Sequence, residues 1–189
     1  MNGQDNQLLD FELPNVGRGS ETVQAGNLVA DSDYLLVVLL GSHYCSRSRE
    51  LVRALCECHD AFRRRETTVV AVLPDIRERA RVWDRQYDLP FPMVADPAET
   101  TSDDERTDDE ASSVGADETD AFGTFEPLGE AVGSRPAVAL CRPGDGGLTV
   151  VATDTEATLD VPVVESLLRF VDRHRATDAS AAGNAAVDG

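Results

Sequence analysis

The chain has 189 residues, 35 acidic and 17 basic, for a net charge of −18, and every one of the 17 basic residues is arginine. A surface this acidic repels phosphate backbones and anionic lipid headgroups, so nucleic-acid and membrane-surface roles are excluded as first readings. The length suits one domain with a sizeable core, and the absence of lysine combined with high negative charge is the composition expected of a salt-adapted, halophilic protein. The longest apolar run, residues 34–40, has seven residues, against the roughly 20 needed to span a bilayer. Met1-Asn2-Gly3-Gln4-Asp5 lacks the positive and apolar regions of a secretory signal. A cytoplasmic protein is expected, and there four cysteines act as core residues, metal ligands or reactive thiols rather than as a disulfide framework.

In chain order, the continuous apolar run Leu35-Leu36-Val37-Val38-Leu39-Leu40, stopped by Gly41, reads as a strand buried on both faces. From about residue 45 to 65, Leu51, Leu55, Cys58 and Phe62 fall at helical spacing on one stripe. Residues 67–73 are β-branched and apolar, a second strand. Asp75 and Glu78 form a capping pair for a helix to about Tyr87, with Ile76, Ala80 and Trp83 on one face, and Pro90 and Pro92 beyond its end. Residues 99–120 carry ten acidic residues and one arginine with almost nothing apolar, the pattern of a solvated, disordered loop. Without them the charge is still −9, so the rest of the chain is acidic too.

Residues 137–141 and 148–152 predict two strands joined by the turn Arg142-Pro143-Gly144-Asp145-Gly146-Gly147. A last helix from about Pro162 to His174 offers Val164, Leu167, Leu168 and Val171 to the core. The sum is one domain over residues 1–175, with an acidic disordered insertion at about 98–121, and a disordered, frayed tail over 176–189. Strand, helix, strand, helix, hairpin and helix in this order give an α/β fold, a mixed central sheet with helices on both faces, the layout of the thioredoxin-like fold.

The chemistry centres on Gly41-Ser42-His43-Tyr44-Cys45-Ser46-Arg47-Ser48, between the first strand and the first long helix. A thiol at a helix start faces unpaired N–H groups and the positive end of the helix dipole, which stabilise a thiolate. Arg47, Arg49 and His43 stand close enough in sequence to add positive potential. The plainer reading of Cys45 is a small apolar residue filling the strand–helix junction. Cys56 is 11 positions further along the same helix. At about 1.5 Å per residue that is roughly 16 Å from Cys45, beyond the roughly 7 Å Cα separation a disulfide allows. Cys58 is farther still, and Cys141 is the one internal partner that local geometry leaves open. Cys56 and Cys58, about 200° apart around a helix, cannot readily clasp one ion; no metal or cofactor is expected.

The strand, short loop and Cys45 opening a helix resemble the active-site segment of the alkyl hydroperoxide reductase and thiol-specific antioxidant (AhpC/TSA) family, the peroxiredoxins. Ser42 is similar to the family's Thr or Ser three residues before the reactive cysteine. Leu89-Pro90-Phe91-Pro92-Met93-Val94-Ala95-Asp96-Pro97 resembles a family stretch that carries no catalytic duty. Ser134-Arg135-Pro136 resembles the region where peroxiredoxins place a catalytic arginine and thioredoxins a cis-proline. The resemblance covers residues 8–175 outside the acidic loop. It implies a thiol-dependent oxidoreductase, a peroxidase that reduces hydroperoxides through Cys45, with Ser42 orienting the thiolate, Arg135 polarising the O–O bond and an external thiol as reductant. A homodimer is a further assembly this reading admits. Val38 and Ser46 stand where the family has Pro, and Ser48 stands where a Cys-x-x-Cys pair has its second thiol. The rival reading is therefore a catalytically degenerate thioredoxin-fold protein acting as a binding module, with Arg135 a surface arginine before a strand.

Overall fold

The computed structural model describes residues 8–98, 122–144, 147–156 and 163–185. Their elements in chain order are β1 (Leu8–Leu9), β2 (Glu12–Pro14), β3 (Thr22–Gln24), α1 (Ala25–Leu28), β4 (Tyr34–Leu39) and α2 (Ser46–Arg63). There follow β5 (Thr67–Leu73), α3 (Arg77–Tyr87), β6 (Met93–Ala95), α4 (Glu126–Val132), β7 (Ala137–Gly144), β8 (Gly147–Asp154) and α5 (Val163–Ala185).

The wholly apolar run 34–39 becomes the centre of a six-stranded sheet in the order β1-β8-β7-β4-β5-β6, because only a strand covered on both sides and both faces can bury every side chain. β4, β5 and β6 run parallel, and β7, β8 and β1 are antiparallel to their neighbours. One face is covered by α2, α3 and α5 through Leu51, Leu55, Phe62, Trp83, Leu167 and Val171. The other is covered by α1, the β2–β3 hairpin and α4 through Ala25, Val23, Phe125 and Leu128. This is the expected mixed sheet with helices on both faces, a thioredoxin-like arrangement.

The predicted strands and helices lie within a few residues of their expected places. The β7–β8 hairpin is longer than expected at its tip. Pro143 is accommodated because residues 142–144 pair only with β8, beyond the end of β4, so no second neighbour asks for its missing N–H. The helix expected to end near His174 continues to Ala185, through part of the segment read as a tail; alanine, abundant there, is the best helix former. The rest of that tail and the acidic insertion, apart from Ala98, lie outside the described residues. Among the described residues no helix is long and apolar enough to cross a membrane.

The ends of the acidic segment are pinned together. Pro97 bridges Phe122, and the buried Asp96 carboxylate accepts the N–H groups of Thr124 and Phe125, each at 2.8 Å. The Asp of the Leu-Pro-Phe-Pro stretch thus fixes the start of α4 after the insertion.

Candidate active site

Gly41 ends the β4 run, and its N–H donates to the Oγ of Ser48, 2.9 Å away and fully buried in the first turn of α2. The chain then turns. The Cys45 N–H donates to the Ser42 carbonyl at 2.9 Å, and the Cys45 carbonyl accepts the Arg49 N–H at 3.2 Å. Cys45 is therefore the cap residue of α2. Its backbone is extended and its side chain makes no capping bond, so the sulfur leaves the positive helix end unclaimed. It is partly exposed. A Cβ on Gly41 would stand 3.4 Å from the Cys45 Sγ, so the strand end runs directly alongside the thiol.

The opposite wall comes from α4 and the segment leading into β7. Gly133, in the left-handed region at φ 69°, ends α4 and turns the chain toward Ser134 and Arg135. The Arg135–Pro136 peptide is cis. The Arg135 guanidinium lies 4.4 Å above the centre of the Phe122 ring. A Cβ on Gly129 would meet the Phe122 ring at 3.0 Å and the guanidinium at 3.2 Å, so a side chain larger than hydrogen would displace the stacked arginine.

Ser42, Cys45 and Arg135 line one pocket of about 340 Å³, together with Gly41, Gly129, Gly133 and Ser134. Arg135 is the only charged side chain in that lining. A larger cavity of about 860 Å³ lies at the β6 edge, between Ile76, Asp96 and Phe122, and holds no cysteine. The chemistry available from these side chains lies in the smaller one.

The three neighbouring cations are placed in different ways. Arg47 is exposed. Arg49 spends an N–H on the Tyr44 carbonyl at 2.8 Å, bracing the turn just before the thiol. His43 turns to the Asp75 carboxylate, so its charge, when present, is matched there. Asp75 does not form the expected capping pair with Glu78. Ile76 is the cap residue of α3, and its N–H donates to Asp75 Oδ1 at 2.7 Å.

The other cysteines are held away from Cys45. The unbroken α2 keeps Cys56 and Cys58 along its length. Burial, helped by the nearby Asp88 and Glu57 carboxylates, pushes the Cys56 thiol up to about 11, and burial does the same for Cys58. Cys141 pairs with Leu35 at the beginning of β4. At about 3.3 Å per residue, that places it roughly 16 Å from the Leu40 end. It also faces the side of the sheet opposite α2. The partner that sequence left open cannot reach Cys45, and burial pushes its thiol up to about 12. Of the residues shaping the site, Ser48, Phe122, Gly129 and Asp75 were not identified from sequence. Only Ser48 had a local signal there, its place in Cys-x-x-Ser.

A thioredoxin-type sheet with one thiol at the start of its first long helix and an arginine across a small pocket defines the class of thiol-based redox proteins. The AhpC/TSA family pattern matches residues 5–119, and the chain belongs to the AhpC/TSA family. That match ends before Arg135. No curated protein matches by sequence. Among solved structures the chain is similar to a yeast mitochondrial 1-Cys peroxiredoxin, 12% identical over 92% of this chain and 77% of that one, TM-score 0.65. It is also similar to a 2-Cys peroxiredoxin from Plasmodium vivax, 11% identical over 92% and 98% of the two chains, TM-score 0.61. A third likeness is to the peroxidoxin BcpB of Mycobacterium tuberculosis, 11% identical over 87% and 95%, TM-score 0.57. At such identities the likeness is one of fold, and it is the family match that supports a thiol-dependent redox function.

Proposed function

We propose that the protein is a thiol peroxidase that reduces hydroperoxides through Cys45 and is regenerated by an external thiol. The observation that carries this reading is the convergence of Ser42, Cys45 and Arg135, from two separate segments, on one pocket. The Cys45 thiolate attacks a peroxide oxygen, an S–O bond forms as the O–O bond breaks, and sulfur gives up two electrons. The leaving oxygen takes a proton and departs as an alcohol, or as water from hydrogen peroxide. Arg135 stabilises the thiolate and the charge that develops on the departing oxygen; the Ser42 hydroxyl orients the peroxide. A first external thiol then displaces the sulfenic oxygen as water, forming a mixed disulfide. A second thiol releases Cys45 and leaves as the external disulfide.

An external reductant is favoured because each of the other three cysteines is remote from Cys45. The yeast mitochondrial 1-Cys peroxiredoxin, whose thiol is resolved through glutathione and thioredoxin systems, offers a precedent for that arrangement. Peroxide consumption in molar salt with excess dithiothreitol tests the reading. The wild type turns over, and Cys45→Ser falls to the buffer background. A wild type no faster than Cys45→Ser would leave the binding-module reading as the better account.

A further inference from the structure

One buried carboxylate in contact with the thiol-bearing turn takes no part in the reaction just described. The Asp75 side chain is 2% exposed, in the connection between β5 and α3. Its Oδ1 accepts the Ile76 N–H at 2.7 Å and an Arg79 guanidinium N–H at 3.0 Å. Its Oδ2 accepts the same Arg79 guanidinium at 3.3 Å and lies 2.5 Å from His43 Nδ1. That approach is not aligned as a hydrogen bond, and Nδ1 has no hydrogen-bond partner, so the pair is a close contact between imidazole and carboxylate.

A carboxylate buried to this degree must be paired. Arg79, four residues further along, supplies a cation from the same segment of chain. His43 reaches it from a different loop, the one that carries the thiol, and only Tyr44 separates His43 from Cys45. The Tyr44 ring packs on the imidazole, centroids 3.7 Å apart, and is itself 73% exposed. The turn is thus tied at Gly41 to Ser48 and at His43 to Asp75, and the Cys45 N–H is bonded to the carbonyl of Ser42, between those two ties.

We propose that His43 is a positioning residue for Cys45: its contact with the Asp75 carboxylate holds the 41–45 turn so that the thiol addresses the pocket bearing Arg135. The inference rests on the peroxidase reading. Ser48 fixes one end of the turn to α2; without the second tie the turn can pivot there, and the sulfur moves relative to Arg135. A displacement of about 1 Å in a reacting group can cost roughly 100-fold in rate. Alkylation of the thiolate by a small reagent needs no such alignment with Arg135, so its rate once the thiol is fully ionised should be spared.

The test compares the plateau rates, at pH high enough that the thiol is fully ionised, at which Cys45 reacts with hydrogen peroxide and with iodoacetamide, in the full chain, for the wild type, His43→Leu, Asp75→Asn, their double variant and Arg79→Leu. His43→Leu and Asp75→Asn are expected to lower the peroxide rate about tenfold or more while leaving the iodoacetamide rate unchanged. The double variant should lose no more than the worse single one, since both remove the same tie. Arg79→Leu should lower the melting temperature without moving the ratio of the two rates. His43→Gln, similar in size and polar, serves if His43→Leu does not fold. An unchanged ratio in the His43 variant, or an equal fall in Arg79→Leu, overturns the positioning role. A wild-type Cys45 inert to peroxide overturns the peroxidase reading itself.

Discussion

The two ends of β4 hold two thiols with opposite fates. At its beginning, Leu35 pairs with Cys141 on β7, fully buried on the face opposite α2, and burial alone pushes that thiol up to about 12. Past its other end, Cys45 is partly exposed, caps an 18-residue helix and shares a pocket with Arg135. The same side chain, on the same sheet, is silenced at one edge and offered to solvent at the other. In open α/β sheets the strand ends where helices begin are where groups can converge without a covering layer. Exposure of a thiol here follows from strand direction rather than from cysteine content.

The comparison breaks most visibly at Arg135. Arg135→Met should lower the peroxide rate of Cys45 by about 100-fold, as expected for losing a charge aimed at the developing anion, with no effect on Cys141 in the folded chain. Stopped-flow peroxide kinetics check this.

Asp96 tests how the opposite wall is supported. Its carboxylate receives two backbone N–H groups at the start of α4. Asp96→Asn turns one acceptor into a donor facing an N–H, which should cost about 2 kcal/mol in urea unfolding, given the value of hydrogen bonds to charged groups.

A smaller effect is expected from the arginine's cradle. Gly129→Ala would push into Phe122 and the guanidinium, and Phe122→Leu would remove the ring beneath it. A cation–π contact at a partly exposed site such as this is worth about 0.5 to 1 kcal/mol, so each variant should slow the peroxide reaction by roughly two- to fivefold. The stability of Phe122→Leu also falls, so the rate is to be read well below its melting temperature.

The smallest expected effect concerns alkali. Cys56, Cys58 and Cys141 hold their protons more tightly in the folded chain than an unfolded cysteine does. Their contribution to stability is therefore complete below about pH 8.5 and is lost as pH rises toward 11 to 12. Cys141→Ala should flatten the fall of stability measured by denaturant titration across that window, at the cost of a small cavity.

Much of the fold was legible because burial leaves a local pattern. The β4 run, the β-branched β5 and the Leu51, Leu55, Phe62 stripe of α2 announce themselves by period alone. The short elements did not. β2, β3 and β6 have three residues each, too few for a period to register. Within the site, Ser42 and Cys45 were readable because they are neighbours in sequence, and Arg135 through its place before a strand. Phe122, Gly129 and Asp75 act only through contacts made by distant segments. The partner of His43 was not legible for the same reason: it comes from the loop after the next strand.

The most direct measurement is to treat the full-length wild type in molar salt with one equivalent of hydrogen peroxide, trap sulfenic acid with a 1,3-dione and locate the adduct by peptide mass spectrometry. The account predicts an adduct on Cys45 and none on Cys56, Cys58 or Cys141. A Cys45 that stays free while peroxide is consumed at another cysteine, or not at all, would contradict it.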